Sequence, residues 1–229
     1  MRTKILLAAG LLSGVYLIRN LYVIMLQLPD EAAQGAIYRI LFFHLPGWFT
    51  SFTAYFLAGA MSVWYLLKRN PDADAMAVVL TEVGTIFTLL GLATGMVWAR
   101  IIWGVWWVWD PRLTWAFLMF LIYAGYLLLR KSIDESGERA RLAAVVKVLA
   151  FVSVIITYKA IDWWRTQHPA PVLSFRTGGE RRMDPAMESM IYQNWLALTA
   201  FAAVIMVLRF GQEKMQRELD ALRRRAHGL

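Results

Sequence analysis

Three histidines, eleven tryptophans and no cysteine set the chemistry open to this 229-residue chain. Without cysteine there is no disulfide framework, thiolate metal site or thiol nucleophile. The sequence contains no Walker loop, nucleophile triad or paired-carboxylate site, so the chain does not itself hydrolyse ATP. That leaves imidazole and indole. Two neutral imidazoles can take both axial positions of a haem iron. His44 and His168 are the candidates, and His227, in a charged tail, is expected to be solvated. Six of the eleven tryptophans fall between Trp98 and Trp115, in WARIIWGVWWVWDPRLTW, with Arg100, Asp110 and Arg112 among them. Indoles can cover a flat apolar macrocycle and exclude water. Its two propionates need cations, and Arg100, Arg112, Arg165 and Arg176 are all eligible. Plainer readings stand beside these. A lone interfacial histidine bonds backbone or water, an arginine meets a lipid headgroup, and tryptophan is enriched at membrane interfaces. That last reading suffices for Trp48, Trp64, Trp163, Trp164 and Trp195, but not for five tryptophans in the twelve residues from Trp98 to Trp109.

The elements that must position these groups are membrane spans. The chain is 59% hydrophobic and only 17% charged, with its apolar residues in long runs. Six spans are expected, at about 5–26, 46–67, 76–97, 111–129, 142–161 and 189–208. The predicted fold class is an all-α integral membrane protein: one six-transmembrane helix bundle with an outward-facing tryptophan-rich surface segment at 98–115. The first run is longer than a signal-peptide core and lacks a small-x-small cleavage site, so it reads as a retained span. One set of flanks, containing both termini, holds fourteen basic residues; the other holds seven, namely Arg39, Arg100, Arg112, Arg165, Arg176, Arg181 and Arg182. The positive-inside rule then makes both termini cytoplasmic and turns the three longer connections outward. His44, the tryptophan stretch and His168 come out on the same side.

The first outer connection places Ile37, Ile40, Leu41 and His44 at i, i+3, i+4 and i+7, which predicts a short amphipathic helix in the interface. Pro46 then suits the first turn of the second span. In the second connection a short surface helix is expected, because Arg100, Trp103 and Trp107 would share a face. Asp110-Pro111 reads as an N-cap and first-turn proline opening the fourth span. The third, from Asp162 to Glu188, is rich in proline and glycine and reads as irregular. His168 precedes Pro169, which favours extended backbone and a projecting imidazole. Glu82, within the third span, is a functional candidate by default, but its shallow depth favours snorkelling or a pairing with Arg or Lys at the inner surface, and Lys159 can snorkel too. The tail from Gly211 to residue 229 reads as a solvated cytoplasmic helix rather than a nucleic-acid site.

Trp103-Gly104-Val105-Trp106-Trp107-Val108-Trp109-Asp110 resembles the tryptophan-rich WWD motif of the haem-handling proteins of cytochrome c maturation, and the match continues through Arg112-Leu113-Thr114, with Thr94-Gly95 upstream. The resemblance covers nearly the whole chain and is nearest to the CcmC branch; the CcmF and CcsA branches are longer and carry additional histidines within the membrane. Pro111, where alanine is more usual, and Trp115 depart from the pattern. The resemblance implies that haem b is a transient cargo, bis-histidine ligated by His44 and His168, on a platform of Trp103, Trp106, Trp107, Trp109 and Asp110. It implies a site on the periplasmic face of the bacterial inner membrane and delivery to the haem chaperone CcmE. It also implies association with the CcmA ATPase, the CcmB permease and the small CcmD subunit.

Two rival classes make different predictions. A b-type electron-transfer or quinone oxidoreductase subunit places histidines inside the spans on facing helices. A permease subunit of an ABC transporter favours polar or broken helices near mid-membrane. The sequence shows little of either.

Overall fold

A computed structural model of the chain describes residues 2–133, 135–173, 175–180 and 182–226. His227 and Arg181 lie outside the described residues. Six helices follow in order: α1 (Arg2–Tyr22), α2 (Leu41–Lys68), α3 (Pro71–Ile102), α4 (Pro111–Lys131), α5 (Ser136–Trp163) and α6 (Pro185–Ala226). Each is long and apolar enough to cross a membrane, and no β-strand forms among the described residues. The protein is an all-α, six-span membrane bundle. Three of the helices open with the same device. In Asn70-Pro71, Asp110-Pro111 and Asp184-Pro185 the first side chain accepts a backbone N–H of the first turn, from Asp72, Leu113 and Ala186 at 2.8 Å each. Proline follows where the helix needs no donor.

α2 is central and packs on α3, α5 and α6. Its contact with α3 is a register of large side chains against small residues. His44, Trp48, Ser51 and Tyr55 run down one face of α2; Gly95, Gly91, Thr88 and Gly84 oppose them on α3. A Cβ at Gly91 would lie 2.7 Å from the Trp48 ring, one at Gly84 would lie 2.8 Å from Tyr55, and one at Gly95 would lie 3.2 Å from His44. These glycines allow the two helices to close on aromatic rings. Ser51 and Thr88 bond at 2.7 Å, and Tyr55 stacks on Tyr123 of α4 with ring centroids 3.7 Å apart.

Three local expectations are corrected. The first outer connection is not a separate interfacial helix: a 3₁₀ turn, Ala36–Ile40, runs straight into α2. Pro46 is therefore inside α2, not in its first turn. A proline there cannot bond the carbonyl four residues back. The Asn194 side chain of α6 takes that carbonyl, donating to Phe42 O at 2.6 Å. Nor does the tryptophan stretch form its own helix. α3 extends to Ile102, and the chain from Trp103 to Asp110 is irregular, with Gly104 at φ 76°. The tail from Gly211 is helical as expected, forming the end of α6, which runs for 42 residues from Pro185 to Ala226.

At the end carrying the termini, Glu82 pairs with Arg209, Nε to Oε2 at 2.8 Å, and Lys159 at the other end reaches Asp162 at 3.1 Å. The Glu82–Arg209 pair is a pairing that the sequence reading expects. Asp74 of α3 accepts both guanidinium nitrogens of Arg130, at 2.8 and 3.0 Å, and that of Arg217 at 2.9 Å. Lys147 of α5 is fully buried beside this group, its Nζ 4.4 Å from the centre of the Tyr126 ring. Neither Asp74 nor Lys147 stands out in the sequence.

Candidate functional site

The other end of the bundle opens into an apolar cavity. The start of α2 contributes His44 and Trp48, the end of α3 Trp98, and the irregular segment Trp103 and Trp107. The start of α4 adds Arg112, and the connection before α6 adds His168. Below them Phe52, Leu92 and Ala116 line the deep end and merge with the bundle core.

The two histidines arrive by different means. His44 is the fourth residue of α2 and is held against α3, with Nδ1 2.9 Å from Thr94 Oγ1 and Cε1 facing Gly95. His168 sits on irregular chain tied to α4. Asp110 Oδ1 caps α4 through Leu113 N–H, while Oδ2 accepts the Thr166 hydroxyl and the Gln167 N–H at 3.1 Å. The His168 N–H donates to the same Thr166 oxygen at 3.1 Å. The His168 ring then donates from Nδ1 to Pro169 O at 3.0 Å; a carbonyl only accepts, so Nδ1 carries the proton and Nε2 the lone pair. Burial, reinforced by the Arg112 guanidinium, lowers His168 from 6.5 to about 4, so its ring is neutral near pH 7. Among the described residues neither histidine has a hydrogen bond at Nε2.

The cations are now unequal. Arg176 is committed to Tyr158 Oη at 2.8 Å and to Asp162 at 3.2 Å. Arg100 is exposed, bonds Gly104 O and does not line the cavity. Arg112 lines it with one long bond, to Thr157 O at 3.4 Å, and has no carboxylate in ion-pair range among the described residues. The Trp107 Nε1–H is buried and has no acceptor there. The cavity therefore offers two imidazole nitrogens, one guanidinium with no carboxylate in ion-pair range among the described residues and one indole N–H, set in apolar walls. That combination suits a flat apolar ligand carrying a metal and carboxylates.

A family model described as CcmC, Heme exporter protein C, matches residues 1–225. The chain belongs to the CcmC family. Its similarity to proteins named Heme exporter protein C includes one from Bradyrhizobium diazoefficiens, 38% identical over 66% of this chain and 57% of that protein. The relative from Paracoccus denitrificans is 28% identical over 85% of this chain and 80% of its own length. That from Escherichia coli K12 is 27% identical over 79% and 72%. The match thus spans little more than half the length of the Bradyrhizobium relative and more of the other two.

Within this CcmC-family chain the residues singled out by sequence divide in two. His44, His168, Trp103, Trp107, Arg112 and Arg176 come together around the cavity. Trp106 and Trp109 do not line it and are exposed, at 54% and 73%. Asp110 is buried as a cap and a tie rather than as part of the wall. Trp48 is the reverse case: it is buried in the cavity floor, not in an interfacial belt. Its signal was present in the sequence, because it follows His44 by four residues and so shares its helical face.

Proposed function

We propose that this protein captures haem b in the cavity at the outer face of the bacterial inner membrane and presents it to a periplasmic chaperone of the CcmE type during cytochrome c maturation. His44 and His168 are the axial ligands in this reading, and the cavity is a transient holding site for haem as cargo. One observation carries it: two imidazoles, from elements far apart in sequence, line one apolar cavity, each hydrogen-bonded through Nδ1 and with no hydrogen bond at Nε2 among the described residues. Arg112 is the propionate partner, since Arg176 already has a carboxylate. Trp48, Trp103 and Trp107 cover the macrocycle and exclude water, while Trp106 and Trp109 face lipid or a partner. The family membership and the relatives' names support haem as the cargo.

Charge supports the orientation, with both termini cytoplasmic. CcmA, CcmB and CcmD are the proposed companions in the membrane, and CcmA, not this chain, supplies ATP hydrolysis. Holding combines iron ligation, apolar burial and one ion pair, and release requires loss of an axial bond. His168, on irregular chain, is the ligand that leaves, while His44, on a packed helix, stays. A reading as an electron-transfer cytochrome lacks the mid-span histidine pairs it needs among the described residues.

Transfer is the test. Haem-loaded protein in detergent is mixed with the soluble domain of a CcmE-type chaperone, the two are separated, and haem is measured on each. Movement of haem to the chaperone is expected from wild type. Haem retained by the membrane protein after prolonged mixing with a chaperone of proven competence would contradict the role.

A further inference from the structure

Thr94 faces His44 across the α2–α3 contact, and the direction of their hydrogen bond can be worked out. A hydroxyl has one proton to give. Thr94 Oγ1 donates it within its own helix, to Leu90 O at 2.8 Å, with Gly91 O a second acceptor at 3.1 Å. With that proton directed to Leu90 O, its lone pairs face the imidazole at 2.9 Å, so His44 Nδ1 donates and carries the ring proton; the Gly91 carbonyl is a further backbone acceptor beside the ring. Nε2 then holds the lone pair. The ring has little freedom to turn. Gly95 lies against its Cε1 edge, where even a Cβ would approach to 3.2 Å, and Trp48 meets it edge-on at 6.2 Å. His168 differs: its Nδ1 acceptor is the carbonyl of its own neighbour, Pro169, so ring and acceptor move together with the loop.

We propose that Thr94 is a positioning residue that fixes His44 in the Nδ1–H form and sets its donor strength toward iron. The second half of this statement rests on the haem reading; the first does not. An acceptor on the distal N–H of a ligating imidazole orients the ring and raises its basicity. A more basic imidazole favours ferric over ferrous iron. The two axial bonds are therefore unequal by construction: one is backed by a helix-anchored hydroxyl, the other by a loop carbonyl.

The test compares wild type with Thr94→Ser, which keeps the hydroxyl, and Thr94→Val, which keeps the shape and loses it. Haem-free protein labelled with ¹⁵N-histidine reports the tautomer directly by NMR, with resonances assigned from single histidine substitutions. His44 is expected protonated at Nδ1 in wild type and Thr94→Ser, and as a tautomer mixture in Thr94→Val. In haem-loaded protein Thr94→Val should raise the reduction potential, and Thr94→Ser should restore it. Loss of an outer-shell partner typically weakens metal binding roughly 10-fold or more. A change of about 10-fold in ferric over ferrous preference reads as about 59 mV for one electron. An unchanged Nδ1–H tautomer and an unchanged potential in a folded Thr94→Val protein would overturn the proposal. If wild type takes up no haem, the haem reading fails, and the haem-free NMR comparison alone decides the role of Thr94.

Discussion

Asp110 accepts the hydroxyl of Thr166, joining the first turn of α4 to the chain that carries His168. The other oxygen of the same carboxylate caps α4 through the Leu113 N–H at 2.8 Å. One side chain thus serves the fold through Oδ1 and the proposed ligand loop through Oδ2, and the two duties can be separated.

Asp110→Asn leaves an oxygen to cap α4 but places an N–H₂ against the Gln167 N–H, which needs an acceptor. The expected outcome is near wild-type thermal stability in detergent with faster haem loss. Asp110→Ala removes both functions and should also lower stability by about 1 kcal/mol, the usual cost of a lost N-cap. Stability and haem off-rate, measured on both variants, check the division.

Trp48 is the floor of the cavity because Gly91 makes room for it. In Gly91→Ala the new Cβ would stand 2.7 Å from the indole, so the ring must shift. Overpacking of this kind costs about 1–3 kcal/mol. Gly91→Ala should melt earlier and bind haem more weakly, and Trp48→Leu in the same chain should recover stability while leaving the site unable to retain haem normally. Melting curves and haem titrations of the single and double variants test this.

His168 gives the fold a pH dependence with a defined sign. Its value falls from 6.5 to about 4 in the folded protein, chiefly through burial. The unfolded chain therefore binds more protons in between. The contribution of this group to stability is complete above about 6.5 and is lost as pH falls towards about 4. Haem-free wild type should lose more melting temperature between pH 7 and pH 4.5 than His168→Gln does. Equal losses would show that His168 does not titrate in this way.

At the opposite end, Asp74 is the shared anion of Arg130 and Arg217. Asp74→Ala strands a buried guanidinium beside the buried Lys147. Breaking one partner out of a buried ion pair costs about 3–5 kcal/mol. Thermal unfolding should shift accordingly, while the absorption spectrum of whatever haem-loaded protein remains folded is unchanged.

The six spans, the Asp110-Pro111 helix start and the Glu82 ion pair were legible because each depends on neighbours in sequence or on bulk hydropathy. The position of Pro46 was not, because it is tolerated through Asn194, a residue on another helix. Helical spacing does not separate the inward from the outward tryptophans, because the chain has already left the helix from Trp103 to Asp110. The same gap hid the difference between Arg112 and Arg176: only the fold shows that Asp162 and Tyr158 occupy the second. Asp74 and Lys147 were obscure for the reverse reason. Each looks like an ordinary charge in or near an apolar run until four helices bring them together.

The central claim is tested most directly by the coordination state of haem in detergent-purified wild type, His44→Ala and His168→Ala, read by visible absorption and electron paramagnetic resonance. Wild type is expected to give a six-coordinate low-spin bis-histidine spectrum, and each substitution a high-spin or haem-poor protein. A low-spin bis-histidine spectrum that survives both single substitutions, or its absence from haem-loaded wild type, would contradict the assignment of the two histidines.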